Sequence, residues 1–408
     1  MHYVKISQGA NSKYQNIINQ SIIFNHLRFH GPLYKSQVAE ALSISIPAVT
    51  RALKSLENAG FVEEIMDQKS KNGRTVSFYA ASVKNGFVVG IDLLKNKIGV
   101  QLMGANRKVA IFELLRDEPL VPMNIVKAIE RVVAGLVETG ILKSVDDLKA
   151  ISVGSPGIVD VDTGEIRKAI FHRELVGMNI KSALEDAFKR PVFMDNVVKL
   201  SVFAEYNKMR IPDLKNMFSI DIGFEVGIGL IIDGHVYRGV RCSAGEIGFL
   251  VDGYDETGEK YPIYAESFSF IWLCKQLSDE QASGSGCEDF SARESNLLKI
   301  KTLFERAREG DPKSSAIISA YLKKLAVLLS NLYVLIDVDA IVISGDICLM
   351  PGLDELISGE LTSYLSKICR LVSPPLVRSE YGTNSTLIGA CDSAFNLFMV
   401  KEFPYLMS

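Results

Sequence analysis

Residues 86–94 read GFVVGIDLL and residues 217–223 read MFSIDIG, so an apolar strand with an aspartate near its end occurs twice in the chain. The segments after the first copy alternate in polarity or repeat at helical spacing. They predict two antiparallel strands, a helix and a buried strand, at 97–103, 108–114, about 123–139 and 148–154.

The second copy is followed by elements of the same kinds. These are a strand, two long helical stretches and a buried strand that ends on glycine, at 227–234, 264–278, 312–335 and 339–346. Two halves of the form βββαβ predict a duplicated α/β body with a ligand cleft between its lobes.

The stretch before residue 86 has a different pattern. Apolar residues recur at helical spacing over about 14–30 and 35–42, and a third helix starts after a tight turn at 43–45 and ends near Gly60. Ser45 is placed to cap that third helix, and Pro47 is tolerated in its first turn. The alternating segments 61–65 and 75–79 then predict a β-hairpin. Three helices and a hairpin indicate a winged helix-turn-helix.

The charge is divided unevenly along the chain. The 408 residues carry 45 Lys plus Arg against 48 Asp plus Glu, a net charge of −3. Residues 1–82 hold nine basic and five acidic side chains, a net charge of +4, and the remainder carries −7. A basic head on an acidic body suits a protein whose head faces nucleic acid. The alternative is a helical packing module with solvated basic residues.

The predicted third helix buries one face and leaves a polar face for DNA. A face of this kind can enter a major groove, where Arg51 can donate to guanine edges, while the basic loop of the hairpin can contact phosphates or the minor groove. The predicted DNA-binding residues are Ser45, Pro47, Thr50, Arg51, Lys54, Lys69, Lys71 and Arg74.

Composition and length exclude several classes of protein. The composition is close to the globular average, which excludes collagen, disorder and a coiled-coil rod. No apolar run approaches the roughly 18 residues of a membrane span, and the N-terminal residues lack the apolar region of a secretory signal. The six Cys are scattered without CxxC pairing, which favours a reduced, cytoplasmic protein.

Three segments of the body resemble a known family. Residues 243–248 (SAGEIG), 153–160 (VGSPGIVD) and 191–196 (PVFMDN) are similar to motifs of the ROK proteins, a family of repressors, open reading frames and sugar kinases. The resemblance covers about residues 85–400. With the head included, it covers nearly the whole chain, which then resembles the branch of the family that contains the xylose and N-acetylglucosamine repressors. It implies an N-terminal winged helix-turn-helix and a duplicated, two-lobed body of the actin-like and hexokinase-like (ribonuclease H-like) fold.

Both phosphate loops of the family's kinases are altered in this chain. The first loop, D-x-G-G-T in the family, corresponds to Asp92-Leu93-Leu94-Lys95-Asn96, whose leucines would crowd a phosphate. In the second loop Phe224 replaces a threonine, and Glu225 places a negative charge where a polyanion would bind. We therefore predict that the chain is not an enzyme and has no catalytic residues.

The family's zinc signature is also missing. Phe249 replaces its histidine, and residues 251–265 contain no cysteine. We predict no metal and no cofactor.

The resemblance implies a sugar site in which some polar partners have been lost. Met194 stands where the family has an asparagine, and Phe249 where it has the histidine. Asp195 corresponds to the family's catalytic base, and a purely structural carboxylate is an equally weighted alternative. The candidate ligand residues are Ser155, Asp195, Asn196, Glu246 and Glu266.

These observations predict a DNA-binding transcriptional regulator, a repressor of carbohydrate genes whose body senses a sugar and self-associates. Its expected partners are a palindromic double-stranded operator, a sugar effector and further copies of the chain, as a homodimer or tetramer, with no membrane. The alternatives are an ATP-dependent sugar kinase with a DNA-binding head and a ligand-independent repressor controlled by a partner protein. The expected domains are 1–82 (head), 83–200 (N-terminal lobe) and 201–408 (C-terminal lobe with the dimerisation surface).

Overall fold

The computed structural model describes residues 12–67, 76–93, 98–115, 121–169, 172–209, 211, 213–254, 257–259, 261–277, 292–369 and 375–402. The chain divides into two compact units. The first unit runs to Asp195 and takes in the chain again from Ala390, and the second unit runs from Asn196 to Gly389.

The first unit begins with three helices and a small sheet. The helices are α1 (Ser12–His30), α2 (Lys35–Leu42) and α3 (Ile46–Asn58). A three-stranded sheet has the order β1-β3-β2, formed by β1 (Leu33–Tyr34), β2 (Val62–Asp67) and β3 (Val76–Ala81). The predicted winged helix-turn-helix is confirmed.

The head is held together by apolar side chains at helical spacing. On α3 these recur three or four residues apart, so they form one face that packs against α1 and α2. The buried residues of the head include Phe24, Leu27, Val38, Val49, Leu53 and Leu56. Gly60, with φ of +78°, follows the end of α3 and lets the chain turn into the hairpin.

The rest of the first unit is built on a five-stranded sheet in the order β10-β7-β4-β5-β6. The central strand β4 pairs antiparallel with β5 and parallel with β7. The strands are β4 (Phe87–Asp92), β5 (Ile98–Gly104), β6 (Val109–Leu115), β7 (Leu148–Ser155) and β10 (Val192–Asn196). The connections contain α4 (Pro122–Glu138), the β8–β9 pair (Ile158–Val159 and Ile166–Lys168) and α5 (Ile180–Phe188).

The second unit repeats this topology. Its five-stranded sheet has the order β13-β12-β11-β14-β15, and the central strand β11 is antiparallel to β12 and parallel to β14. The strands are β11 (Met217–Ile222), β12 (Val226–Ile232), β13 (His235–Val236), β14 (Ala340–Ser344) and β15 (Leu376–Arg378). Asp92 and Asp221 occupy corresponding positions at the ends of the two central strands, so the predicted duplication is confirmed.

The helices of the second unit correct one prediction. The expected helix at 264–278 is two helices, α7 (Tyr264–Ser267) and α8 (Phe270–Leu277), because the Ser269 hydroxyl accepts from the amide of Ile271 and caps α8. The other helices are α6 (Val197–Lys208), α9 (Arg293–Arg308), α10 (Pro312–Ile336), α11 (Leu353–Leu356) and α12 (Thr362–Ile368).

Among the described residues, α10 alone is long and apolar enough to cross a membrane. It packs against α9 and α12, and 56% of its apolar stretch is buried, as in the core helix of a globular domain. Length and composition are therefore weak evidence for a span.

The last helix, α13 (Ser385–Glu402), starts in the second unit and continues in the first. The C-terminal part of the chain is thus grouped with the winged head. The division into three domains at residues 82 and 200 stays a prediction.

Candidate functional site

The third helix of the head presents the polar face that the sequence predicts. Arg51 and Lys54 are exposed, as are Ser45 and Pro47 at the start of the helix, and Thr50 is half-buried. Ser45 occupies the N-cap position, but its side chain makes no capping hydrogen bond. The inner face is fully packed, so the basic face cannot turn inward without breaking the core.

The hairpin that carries the wing is anchored at its base. The Tyr79 hydroxyl donates to Glu64 at 2.8 Å, and the Lys35 ammonium lies 5.0 Å from the centroid of the Tyr79 ring. These contacts join β2 and β3 to the start of α2. The predicted wing contacts Lys69, Lys71 and Arg74 lie outside the described residues.

Two of the candidate ligand residues are brought together at the start of α6. Asn196 caps this helix by accepting from the amide of Val198 at 2.9 Å, and its Nδ2 donates to Glu246 Oε1 at 3.3 Å. The Glu246 side chain is 21% exposed, so its carboxylate is held in place and still accessible to solvent. This geometry suits recognition of a hydroxylated ligand.

A lysine that the sequence reasoning missed completes this group. Lys199, in the first turn of α6, is 1% exposed, and its Nζ donates to the carbonyl of Cys242 at 3.0 Å. The same Nζ lies 3.9 Å from Glu246 Oε1. The ammonium thus joins α6 to the loop that carries Glu246 and provides that carboxylate with a counter-ion.

The loop before Glu246 depends on a glycine. Gly245 has φ of +85°, and a Cβ at this position would lie 2.0 Å from the carbonyl oxygen of Ile228. Only glycine permits that approach of the loop to β12. The position of the Glu246 carboxylate is therefore set by backbone packing.

The other candidates have different surroundings. In the first unit, Ser155 is buried and its hydroxyl donates to the carbonyl of Pro156 at 3.2 Å, while Asp195 is buried at the end of β10. In the second unit, Glu266 is exposed on the short helix α7. The assignment of Asp195 and Glu266 to a ligand site stays a prediction, and within the second unit Asn196 is the candidate that contacts Glu246.

The region that corresponds to the second phosphate loop is filled by side chains. Phe224 is buried against Phe270, with ring centroids 5.8 Å apart. The guanidinium of Arg293 lies 4.9 Å from the centroid of the Phe224 ring, and its Nη2 donates to Asp346 at 2.8 Å. Arg293 is the first residue of α9, so the start of this helix takes part in the cluster.

The charge of Glu225 differs from the sequence-based expectation. Burial raises the pKa of this carboxyl to about 7, and Arg293 partly opposes the shift, while Glu246, Asp221 and Asp346 add to it. Near neutral pH, Glu225 is consequently protonated in a large fraction of molecules. In the first loop Leu93 is buried, and residues 94–97 lie outside the described part of the chain.

No group of three or more His, Cys, Asp or Glu side chains in the described ranges could hold a metal ion. Of the cysteines, Cys242 is half-buried, and Cys274, Cys348, Cys369 and Cys391 are buried. All five have free thiols. The expected absence of zinc stays a prediction.

The fold and the candidate sites define a class of protein in which a winged helix-turn-helix precedes a duplicated, hexokinase-like α/β body. A model of the ROK family matches residues 88–396, and a model of the MarR family matches residues 23–73. The chain belongs to the ROK family, as the sequence motifs indicated.

The relatives of the chain include transcriptional regulators. The DNA-binding transcriptional dual regulator NagC of Escherichia coli is 23% identical, over 91% of this chain and 90% of its own length. The xylose repressor of Bacillus subtilis is 24% identical, over 59% of this chain and 62% of its own length. Sugar kinases of the family also match.

A solved structure has the same overall fold. The crystal structure of a ROK family transcriptional regulator, a homolog of the E. coli Mlc protein, superposes with a TM-score of 0.68 at 17% identity and covers 96% of this chain and 97% of that one. This match includes the head, so the fold class derived from the sequence is confirmed over nearly the whole chain.

Proposed function

We propose that this chain is a DNA-binding transcriptional regulator, a repressor of carbohydrate genes, whose ROK body binds a sugar-like effector. The observation that carries the proposal is the exposed basic face of α3, with Arg51 and Lys54 outward and a fully packed inner face. A helix presented in this way fits the major groove of DNA. The relatives that match over nearly the whole chain are transcriptional regulators.

The second phosphate loop argues against the kinase alternative. Phosphate binding there needs close approach to backbone amides. In this chain Phe224 and Arg293 stack over that loop, and Asp346 contacts the guanidinium that could otherwise bind a phosphate. We therefore propose that the body has no phosphoryl-transfer activity and needs no cofactor.

The group formed by Asn196, Lys199 and Glu246 supports the effector part of the proposal. It combines an amide, an ammonium and a partly exposed carboxylate within one small region of the second unit. Such a group can donate to and accept from the hydroxyls of a sugar. We propose that Glu246 and Asn196 bind ligand hydroxyls and that Lys199 holds the loop that carries Glu246 against α6.

We further propose that the protein is cytoplasmic. We also propose that it binds a palindromic operator as a homodimer or tetramer, because one winged head reads only half of a two-fold symmetric site. The alternative of a repressor controlled by a partner protein remains, and a sugar that stabilises the protein would decide against it.

The experiment that tests the function is selection of duplex DNA from a random-sequence pool by the purified full-length protein. We expect enrichment of one two-fold symmetric sequence, bound with an affinity that falls with salt by about 0.9 log units per log unit of salt for each phosphate contacted. Recovery of no common sequence, or an affinity that does not change with salt, would contradict the proposal.

A further inference from the structure

The candidate ligand group contacts one end of α6, and the other end of the same helix is bound to α13. At the first end, Asn196 caps α6 and donates to Glu246. About two and a half turns further along α6, Glu205 is buried, and its Oε1 accepts from the hydroxyl of Ser385, the first residue of α13, at 2.9 Å. One helix therefore joins the candidate ligand group to the start of α13.

At Gly389 the backbones of α6 and α13 are also in direct contact. A Cβ at Gly389 would lie 1.9 Å from the carbonyl oxygen of Leu200, so the two helices touch with no side chain between them at this point. The Thr386 hydroxyl also donates to the carbonyl of Val197 at 3.4 Å. Because no flexible side chain separates them, a displacement of α6 must be followed by the first turn of α13.

The continuation of α13 is bound to the DNA-binding head. About two turns beyond Ser385, Asp392 accepts from Arg28 of α1 at 3.1 Å and from Arg107 of the β5–β6 turn at 2.8 Å. The side chains of Arg28 and Asp392 are both fully buried. A buried ion pair fixes its two partners strongly, because separating them leaves a charge without compensation.

Aromatic rings surround this ion pair. The Arg28 guanidinium lies 4.3 Å from the centroid of the Phe395 ring of α13. Further along the same helix, the ring centroids of Phe398 and Phe61 are 6.1 Å apart, and Phe61 lies just after α3. The helix α13 thus contacts the head beside both its first helix and its recognition helix.

We propose that α6 and α13 form the path by which the candidate ligand group sets the position of the DNA-binding head, with Asp392 as the residue that couples α13 to α1. The proposal rests on the proposed function, because it takes Asn196 and Glu246 as the ligand group. A ligand hydroxyl that donates to Glu246 competes with Asn196 for that carboxylate. Loss of this contact removes one of the hydrogen bonds that hold the start of α6, and α13 carries the resulting adjustment of the helix to Arg28.

The test is hydrogen exchange of the full-length chain, without DNA and without sugar. Glu205→Gln weakens the contact between α6 and α13 in the second unit. We expect the amides of α1 to exchange about 2- to 30-fold faster in this variant, the range that corresponds to couplings of about 0.5–2 kcal/mol between distant sites. The control is Lys208→Ala, which removes an exposed ion pair with Glu380 at the end of the same helix and should leave α1 unchanged.

A second comparison tests the role of Asp392. If the path runs through this residue, Glu205→Gln causes no additional acceleration in α1 once Asp392→Asn is present. If Asp392→Asn does not fold, Arg28→Met with Asp392→Leu serves as the background, because it removes the buried Arg28 charge together with its carboxylate and leaves only the partly exposed Arg107 without this partner. The proposal would be overturned if the two changes accelerated exchange in α1 by factors that multiply. It would also be overturned if Glu205→Gln accelerated exchange only within residues 196–389.

The outcome is independent of the proposed function. The exchange experiment uses neither operator nor effector, so its failure would leave the regulator proposal untouched. Conversely, a chain that selects no operator could still show the coupling between Glu205 and α1.

Discussion

The guanidinium of Arg293 lies 4.9 Å from the centroid of the buried Phe224 ring, in the loop where kinases of this fold are expected to hold phosphate. Arg293 also donates to Asp346. An arginine that could have bound a phosphate is instead part of the protein's own packing, and the first prediction follows from this arrangement.

We expect ATP with Mg²⁺ to leave the thermal stability of the protein unchanged even at about 1 mM, since a ligand stabilises a protein only when its concentration approaches the dissociation constant. Thermal unfolding with and without nucleotide checks this. Incubation with labelled ATP and a panel of sugars should yield no sugar phosphate, and reproducible turnover would restore the kinase alternative.

Arg51→Ala should weaken binding to the selected operator by about 1–3 kcal/mol and relax the preference for one base. Lys54→Ala should weaken binding more uniformly, because a lysine on the same face contacts phosphates without reading sequence. Fluorescence anisotropy with the operator and with single-base variants measures both. Lys127→Ala, an exposed basic residue of α4 in the body, is the matched control and should bind as the parent does.

The raised pKa of Glu225 makes the stability depend on pH. The folded carboxyl titrates near 7, above its ordinary value of 4.5, so the folded state binds more protons than the unfolded state between these values. The contribution of Glu225 to stability is therefore present at low pH and is lost as pH rises through 7. Glu225→Gln should flatten this part of the pH profile of the free energy of unfolding, measured by urea titration. If the variant had the same pH profile as the parent protein, the raised pKa would not belong to Glu225.

Gly245→Ala should lower the free energy of unfolding by about 1–3 kcal/mol, through positive φ and the clash with Ile228. The matched control is Gly258→Ala, because Gly258 has φ of +72° and a Cβ at this position would have no neighbouring atom within 4 Å. The control carries the cost of the backbone conformation alone. Equal losses for the two variants would show that the approach of the loop to β12 does not constrain residue 245.

Asp392→Asn should destabilise the protein by about 3–5 kcal/mol, because Arg28 and Arg107 then lack their shared carboxylate. The double change Arg28→Met with Asp392→Leu should cost less than the single one, since it leaves one guanidinium without its carboxylate, that of the partly exposed Arg107, instead of two. Urea unfolding of both variants checks the order, and a larger loss in the double variant would contradict it.

The fold could be predicted from the sequence more completely than the site, because secondary structure follows from patterns within short segments of the chain. The helices of the head and the two central strands follow from periodicity within short windows, and the paired aspartates Asp92 and Asp221 marked the duplication. The break at Ser269 was missed because a hydroxyl that caps a helix from inside an apolar run interrupts its periodicity only slightly.

The missed site residues depend on contacts between distant segments. Lys199 lies between Val198 and Leu200 in the first turn of α6, and its partners Cys242 and Glu246 lie in a loop far along the chain. Arg293 follows a polar stretch, so its burial against Phe224 has no local signature. A basic residue flanked by apolar residues was nevertheless a usable signal for Lys199, because such a residue is seldom buried without a partner.

The pairing of Arg28 with Asp392 also has a consequence for biosynthesis. The two residues are 364 positions apart, so the ribosome takes roughly 20–70 s to add Asp392 after Arg28 at ordinary rates of translation. During that interval the first helix of the nascent head lacks the carboxylate to which it is bound in the finished chain. A product truncated by a premature stop before α13 would therefore carry a DNA-reading helix without the carboxylate that binds α1 to α13.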